Sequence, residues 1–230
     1  MIGVGRYEQL ENIPEIHVAA GDYHIAATIS VYSSVILKGR YSQANLEERD
    51  DNADWAIGGN SNPYFITHIT LEEDNEDAIL CFYNQSTGVI EGIDMYKKKG
   101  SNPCGIRIKE ESSIIIRSNR INVGHGDNKS YHIQAFNSNV ILEKNHIIGN
   151  EDYLTGIDND GETYSISLIN SNFFIENNII EFKNGNNFIA LNCEESTGDI
   201  INNDFFGDIT EKQNSSPGDT GLQIINKNTT

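Results

Sequence analysis

The chain is poor in cysteine. Its 230 residues contain three, Cys81, Cys104 and Cys193, which form neither a Cys-x-x-Cys pair nor a Cys/His spacing of the zinc type. The sequence therefore predicts no structural zinc site and no disulfide framework. Cys81 and Cys193 fall in strand-like stretches, where we expect a thiol to act as a small apolar side chain.

Positive charge is also scarce. The sequence has 16 Lys and Arg against 34 Asp and Glu, which gives a formal net charge of -18. Contact with a nucleic-acid backbone or with anionic lipid needs clustered Lys and Arg. We therefore expect neither nucleic acid nor an anionic membrane surface as a partner. The basic run Lys97-Lys98-Lys99 is interpreted as a solvated loop.

Long apolar runs are lacking. A membrane-spanning helix needs about 18 or more consecutive apolar residues, and the sequence has no such run. We therefore expect no membrane insertion. Residues 1–6 have neither the basic head nor the apolar core of a secretion signal.

What the chain does have is a repeat. Five stretches share one pattern, in which three short runs of alternating apolar residues are separated by polar corners. They are residues 78–95, 105–123, 131–149, 164–182 and 188–207. Such repeats are typical of a solenoid, in which each coil buries its apolar face against its neighbours. The pattern predicts an all-β parallel β-helix with three short strands per coil and roughly eight or nine coils. A β-sandwich is the alternative, although it does not explain why the corners recur in register.

Asparagine marks one corner of each coil. Asn119, Asn145, Asn178 and Asn203 lie at intervals of about 26, 33 and 25 residues, which is the size of a solenoid coil. Asn tolerates the left-handed backbone that a sharp corner needs. Stacked Asn side chains can also hydrogen-bond to one another in a ladder. Since Ile93 occupies this place in the first repeat, we expect the ladder to end there.

The longer connections are predicted at one edge. They follow the third strand of successive repeats, at residues 97–103, 124–129, 150–162, 184–186 and 207–219. Insertions confined to one edge of a solenoid often build its functional rim, although tolerance of loop growth would give the same pattern.

The whole chain, 1–230, is expected to be a single β-helix domain and a fragment of a longer protein. Residues 14–41 should form its first strands, with runs at 16–23, 27–31 and 34–39. Residues 42–63 should form an irregular loop, and residues 64–230 the repeat coils.

The segments at 16–23 (IHVAAGDY), 34–39 (SVILKG) and 140–147 (VILEKNHI) resemble pectin-lyase-like right-handed parallel β-helix proteins. The bacterial surface members, with carbohydrate-binding and sugar-hydrolase repeats, are the most similar type. The resemblance implies a single-stranded right-handed β-helix, an extracellular or cell-surface location and contact with glycans. It also implies calcium as the cofactor if the protein is a lyase. The superfamily includes lyases, glycosidases and adhesins, so fold alone does not assign an activity.

Several residues are candidates for contact with a glycan. Arg107, Lys109, His132 and Gln134 alternate with apolar residues on successive coils, so we expect them to point outward. His125 lies in the string Gly124-His125-Gly126, which is similar to a polygalacturonase signature, as is Arg107-Ile108-Lys109. The two strings occur in the reverse order, and the paired aspartates of inverting hydrolysis are missing. We interpret both strings as coincidences.

Asp158, Asp160 and Glu162 provide closely spaced oxygen ligands for a possible calcium ion.

The sequence favours a non-catalytic module for adhesion, scaffolding or glycan contact. A polysaccharide lyase or glycoside hydrolase acting on acidic or neutral glycans is the alternative, and a purely structural spacer is a third possibility.

Overall fold

The computed structural model describes residues 10, 12–43, 47–50, 65–72, 78–98, 100–124, 126, 128–149, 162–183, 188–208 and 223–227. These ranges form three parallel sheets, A, B and C. Sheet A contains β1 (Glu15–Ala19), β4 (Val35–Tyr41), β7 (Thr87–Glu91), β10 (Ser113–Arg117), β13 (Asn139–Glu143), β16 (Asn172–Glu176) and β19 (Thr197–Ile201). Sheet B contains β2 (Gly21–Ile25), β5 (Thr67–Leu71), β8 (Ile93–Lys97), β11 (Arg120–Val123), β14 (His146–Gly149), β17 (Ile179–Lys183) and β20 (Asp204–Asp208). Sheet C contains β3 (Ile29–Val31), β6 (Ala78–Phe82), β9 (Cys104–Ile108), β12 (Lys129–Phe136), β15 (Glu162–Ile169), β18 (Phe188–Glu194) and β21 (Gln223–Lys227).

The chain visits the sheets in the order A, B, C and then returns to A one level along. Each strand pairs in parallel with the strand three places later, as β7 does with β10 and β10 with β13. This is the predicted parallel β-helix with three strands per coil, and the β-sandwich alternative is wrong because a sandwich is built from antiparallel pairs. Each sheet has seven strands, so the described ranges make about seven coils, where roughly eight or nine were predicted. The right hand of the coil stays a prediction.

The core is a stack of inward side chains in register. In sheet C, Leu80, Ile106, Ile133, Ile166 and Leu191 form one buried column. Because the side chains of a strand alternate between its two faces, residues that follow this column, such as Arg107, point outward. The residues that precede it, including Ile79 and Ala190, are buried with it. Fully burying one such side chain is worth roughly 1.5–3 kcal/mol.

The predicted asparagine ladder is confirmed. The side-chain amide of Asn119 donates to Oδ1 of Asn145 at 3.2 Å, Asn145 donates to Asn178 at 2.9 Å, and Asn178 donates to Asn203 at 2.9 Å. Each amide also donates to a backbone carbonyl of sheet A, as Asn145 does to Ile116 at 2.7 Å. The ladder ends where expected, since the backbone amide of Ile93 donates to Asn119 Oδ1 at 3.0 Å.

The expected reason for asparagine at this corner is wrong in one respect. The left-handed backbone belongs to the preceding residue, which is Ser118, Lys144, Asn177 or Asn202, with φ between 50° and 55°. Gly92 holds the same place before Ile93, with φ of 70°. The ladder asparagines are therefore selected for their amides, which bridge coils, and not for tolerance of positive φ.

A serine ladder at the corner between sheets C and A was not anticipated. The hydroxyls of Ser86 and Ser112 lie 3.2 Å apart. The backbone amides of Ser138 and Ser171 donate to the hydroxyls of Ser171 and Ser196, at 3.2 and 3.0 Å. All five serines are buried. Buried polar groups need hydrogen-bond partners. The serine ladder provides them at the corner between sheets C and A, as the asparagine ladder does at the corner between sheets A and B.

The long connections lie between sheets B and C, as predicted for the repeats. β8 ends at Lys97 and β9 begins at Cys104, while β14 ends at Gly149 and β15 begins at Glu162. In the same coils, the strands of sheet A follow those of sheet C after two to four residues. The edge between sheets B and C is called the loop rim below.

Two local predictions need correction. The run at 16–23 is not one strand, because a corner at Ala20 and Gly21 divides it into β1 and β2. Lys97 is not in a solvated loop. It is the last residue of β8, in register with Leu71 and Val123, and is fully buried, whereas Lys98 is exposed. Most of the predicted irregular loop at 42–63 lies outside the described residues.

Candidate functional site

The outer face of sheet C brings together three of the predicted ligand-binding residues. Arg107 and Gln134 are in register on β9 and β12, between two inward columns, and both therefore point outward. The guanidinium Nε of Arg107 donates to Oε1 of Gln134 at 3.0 Å. Lys109 follows β9 and is partly exposed at the end of the same strand. The outward orientation predicted for Arg107, Lys109 and Gln134 agrees with this arrangement.

Two stacked pairs of tyrosines lie on the same sheet. The rings of Tyr131 and Tyr164 are 5.2 Å apart at the ends of β12 and β15 nearer the loop rim. The rings of Tyr32 and Tyr83 are 5.0 Å apart beyond the opposite ends of β3 and β6. We call the surface formed by both pairs with Arg107, Lys109 and Gln134 the tyrosine face. Tyr32 is its most open member, with 61% of its surface exposed.

Lysines accompany both pairs. The Nζ of Lys109 lies 5.7 Å from the centre of the Tyr83 ring, and the Nζ of Lys129 lies 5.2 Å from that of Tyr164. These are cation–π distances. In a chain of net charge -18, the tyrosine face thus carries two cations, Arg107 and Lys109.

Glu162, a predicted metal ligand, forms an ion pair with Lys129 and accepts a hydrogen bond from Tyr164 at the edge of this face. Its Oε2 lies 3.0 Å from Nζ of Lys129 and accepts the Tyr164 hydroxyl proton at 2.7 Å. The hydrogen bond from Lys129 to Glu162 raises the pKa of the lysine. Asp158 and Asp160 lie outside the described residues, so the calcium site stays a prediction. Within the described ranges, no group of three or more His, Cys, Asp and Glu side chains is placed to hold a metal ion.

His132 does not share the tyrosine face, and its predicted outward orientation is wrong. Both His132 and the adjacent Ile133 are fully buried, so the alternation of the strand breaks at this point. The Nε2 of His132 donates to the carbonyl of Ile148 in sheet B at 2.7 Å. Burial disfavours the imidazolium and lowers the pKa of His132 to about 4, so the ring is neutral near pH 7.

His125 lies outside the described residues, but its two glycines have structural reasons. A Cβ on Gly124 would lie 1.9 Å from the carbonyl oxygen of Lys98, and one on Gly126 would lie 2.5 Å from Cδ of Pro103. Only glycine allows such close approach. The two glycines are therefore accounted for by packing, and the interpretation of the whole string as a coincidence stays a prediction.

The hydroxyls of Tyr83, Tyr131 and Tyr164 stay protonated near neutral pH. A hydrogen bond with Cys81, followed by burial, raises the pKa of Tyr83 to about 12. Burial is the main cause of the raised pKa of both Tyr131 and Tyr164. These groups can therefore donate hydrogen bonds to a ligand, but they cannot serve as bases near pH 7.

Sequence reasoning missed the tyrosine pairs. Tyr131 and Tyr164 occupy the same place in successive repeats, and that equivalence was a usable signal because equivalent residues of adjacent coils stack. Tyr32 carried no such signal, since it precedes the repeats.

Among the residues that the structure describes, no helix is long and apolar enough to span a membrane. The fold is that of a parallel β-helix, with the tyrosine face beside the loop rim. A comparison of the chain with protein-family models, with curated proteins and with solved structures finds no match.

Proposed function

We propose that the protein is a non-catalytic surface module that contacts glycans through the tyrosine face. The observation that supports this most directly is the arrangement of two stacked tyrosine pairs around the hydrogen-bonded Arg107 and Gln134. Adhesion or scaffolding at a cell surface is the role that fits such a module, and the surface location rests on the resemblance of the sequence repeats.

The chemistry of a sugar explains why this combination suits it. A pyranose ring has an apolar face of C–H groups and an edge of hydroxyls. Its apolar face can pack on the electron-rich face of a tyrosine ring. Its hydroxyls can pair with a guanidinium and an amide, which together offer donors and an acceptor in fixed positions.

The shape of the surface also favours an extended ligand. The two tyrosine pairs lie at opposite ends of the sheet C strands and on different coils, so a ligand that reaches both must cross Arg107 and Gln134. With strands about 4.8 Å apart and residues about 3.3 Å apart, that diagonal is roughly 20 Å long. A chain of several sugars has this length, whereas a single sugar does not.

Replacing Arg107 with alanine is expected to weaken glycan binding by about tenfold or more, since hydrogen bonds to charged groups contribute about 1.5–3 kcal/mol. A glycan array would first identify a ligand, and titration calorimetry would then compare the wild type with Arg107→Ala. Arg117→Ala is the matched control, because Arg117 lies on sheet A and pairs with Glu91. Equal losses in the two variants would contradict the proposal. Failure of every glycan on the array to bind would leave the structural spacer as the remaining function.

Tyr32 provides an independent test, because its exposed ring can be removed without opening the core. Tyr32→Ala is expected to weaken binding several-fold, while Tyr32→Phe keeps the ring and should bind like the wild type. The same titrations measure both. If Tyr32→Phe loses as much affinity as Tyr32→Ala, the contact is through the hydroxyl and the stacking argument is wrong.

A polysaccharide lyase or glycoside hydrolase is the second candidate, and the loop rim beside the tyrosine face is the feature that favours it. Removal of a proton beside a uronate carboxyl requires a base that is free near neutral pH. Tyr83, Tyr131 and Tyr164 do not meet that requirement. The residues left to this alternative are His125, Asp158 and Asp160, which lie outside the described residues. Incubation with uronate and neutral glycans, with and without calcium, would support it by releasing unsaturated or reducing ends.

A further inference from the structure

The outer face of sheet B, away from the tyrosine face, has three polar side chains in one hydrogen-bonded chain. His68 and Thr70 lie on β5 on either side of the inward Ile69, and therefore both point outward. Asp94 lies on β8 directly in register with His68. The three residues come from two adjacent coils and need no loop to bring them together.

The distances place His68 between the other two groups. Its Nδ1 lies 2.9 Å from Oδ2 of Asp94, and its Nε2 lies 2.9 Å from the hydroxyl oxygen of Thr70. An ionised carboxylate only accepts hydrogen bonds, so the proton of the neutral ring is on Nδ1. Nε2 then accepts, and the Thr70 hydroxyl donates to it. This order of nucleophile, base and orienting carboxylate activates hydroxyls on several unrelated folds.

The surroundings hold the arrangement in place and leave the imidazole of His68 partly exposed, while Thr70 is only 6% exposed. The side chain of Asp94 is 12% exposed and that of His68 is 29% exposed. Asp22 on β2 faces His68 from the other side, and Arg120 on β11 approaches Asp94 at 3.9 Å. The hydrogen bond that His68 donates to Asp94 raises the pKa of His68 above its usual value. A stronger base takes the hydroxyl proton more readily once it is in its neutral form.

We propose that Thr70 is a nucleophile toward small carboxylate esters, with His68 as its base and Asp94 as a positioning residue. The Thr70 oxygen forms a bond to the ester carbonyl carbon while its proton moves to Nε2 of His68. The carbon–oxygen bond to the leaving alcohol then breaks, and His68 returns the proton to the departing oxygen. The products are an acyl ester on Thr70 and a free alcohol.

The small exposed area of Thr70 sets the class of ester. Because Thr70 is only 6% exposed, a small ester reaches its oxygen more readily than a bulky one. Because β-branching at Thr70 crowds its oxygen, a short acyl group such as acetyl fits better than a long one. This inference concerns sheet B alone and does not depend on glycan binding at the tyrosine face.

The test is acetylation by p-nitrophenyl acetate, followed by peptide mass spectrometry to locate the acetyl group. The wild type should carry acetyl on Thr70, and Thr70→Ser should carry it on Ser. His68→Gln should acquire acetyl at this position about 100-fold more slowly, in the range expected for loss of a general base. His24→Gln is the matched control, because His24 also contacts a carboxylate, that of Glu72 at 3.2 Å; this variant should react like the wild type. Acetyl on lysines but not on Thr70, or equal rates in the wild type and His68→Gln, would overturn the proposal.

Asp94→Asn separates positioning from a merely structural role. The amide has no negative charge to orient the Nδ1 proton, so acetylation of Thr70 should be slower. The pKa of His68 should also fall, so the acetylation rate should stop increasing with pH at a lower pH than in the wild type. The charged neighbours Asp22 and Arg120 are unchanged in this comparison. An identical pH profile in the two proteins would show that Asp94 does not act through His68.

Discussion

Replacing Asn145 with alanine is expected to lower the free energy of unfolding by about 3 kcal/mol, because it removes a buried bridge that joins three coils. The amide of Asn145 donates to Ile116 and to Asn178. Its Oδ1 accepts from both the backbone and the side chain of Asn119, at 3.1 and 3.2 Å. Alanine fills none of these roles.

The size of the effect follows from what the substitution leaves behind. The backbone amide of Asn119 stays buried, because its residue is fully enclosed by the corner. A buried donor without a partner costs about 1–3 kcal/mol, and the cavity left by the amide adds to that cost. Asn178 is less affected, since its Oδ1 still accepts from the Asn145 backbone at 2.9 Å.

Asn172→Ala is the matched control, because it also breaks an Asn–Asn contact between adjacent coils. Asn172 donates to Asn139 at 3.1 Å, but both side chains are exposed and water can replace the bond. We expect a loss within about 0.5 kcal/mol. Urea unfolding followed by circular dichroism would measure both variants. Similar losses in the two would show that the ladder does not stabilise the stack beyond an ordinary surface contact.

The ladder also shows why the architecture was predictable from the sequence. Alternation with period 2 identifies the inward residues of each coil, and recurrent Asn119, Asn145 and Asn178 fix where the coils turn. Both signals can be found in short segments of the sequence, so they identify the fold without knowledge of contacts between distant residues. The serine ladder was equally regular, but serine is so common at corners that its in-register recurrence carried less information.

The candidate site was less predictable, because it depends on where alternation breaks. His132 and Gln134 are two residues apart and should share a face, yet His132 is fully buried and bonds to sheet B, whereas Gln134 bonds to the outward Arg107. The register of β12 with β9 and β15 is the same on both sides of His132, so the strand pairing gives no sign that this side chain turns into the core. Likewise, Lys97 is at an inward position that the pattern alone would assign to an apolar residue.

The hydrogen-bonded chain of Asp94, His68 and Thr70 could not be predicted from the sequence. Residues 68 and 70 share a face because side chains alternate along a strand. Asp94 contacts His68 for a different reason, namely that β5 and β8 are paired in parallel with these two residues in register. Spacing along the chain does not encode that pairing. The register between adjacent coils creates this contact, and it creates the contact between Arg107 and Gln134 in the same way.

The buried His132 should make the protein less stable as the pH falls. Its pKa is about 4 in the folded protein, against 6.5 for an unperturbed histidine. Between these values the unfolded chain binds more protons than the folded one, so stability decreases as the pH is lowered from about 6.5 to about 4. At about 1.4 kcal/mol per pKa unit, His132 alone should account for a loss of about 3 kcal/mol.

His132→Gln isolates this contribution. Glutamine can still donate to the Ile148 carbonyl but does not titrate, so the variant should be less stable than the wild type at pH 7 and should approach it as the pH falls to 4. The carboxyl of Glu91 also has a perturbed pKa, which its two arginine neighbours lower against the opposing effect of burial. Since this residue is present in both proteins, its contribution cancels in the comparison.

His68→Gln supplies a control of opposite sign. The pKa of His68 is raised in the folded protein by Asp94, so its contribution is present at low pH and is lost as the pH rises through the folded pKa. The stability difference between the wild type and His68→Gln should therefore widen on acidification, while that for His132→Gln should narrow. Urea unfolding at several pH values between 4 and 7 measures both. Parallel curves for the wild type and His132→Gln would mean that the imidazole is not held neutral in the core, and the inward orientation of His132 would be wrong as well.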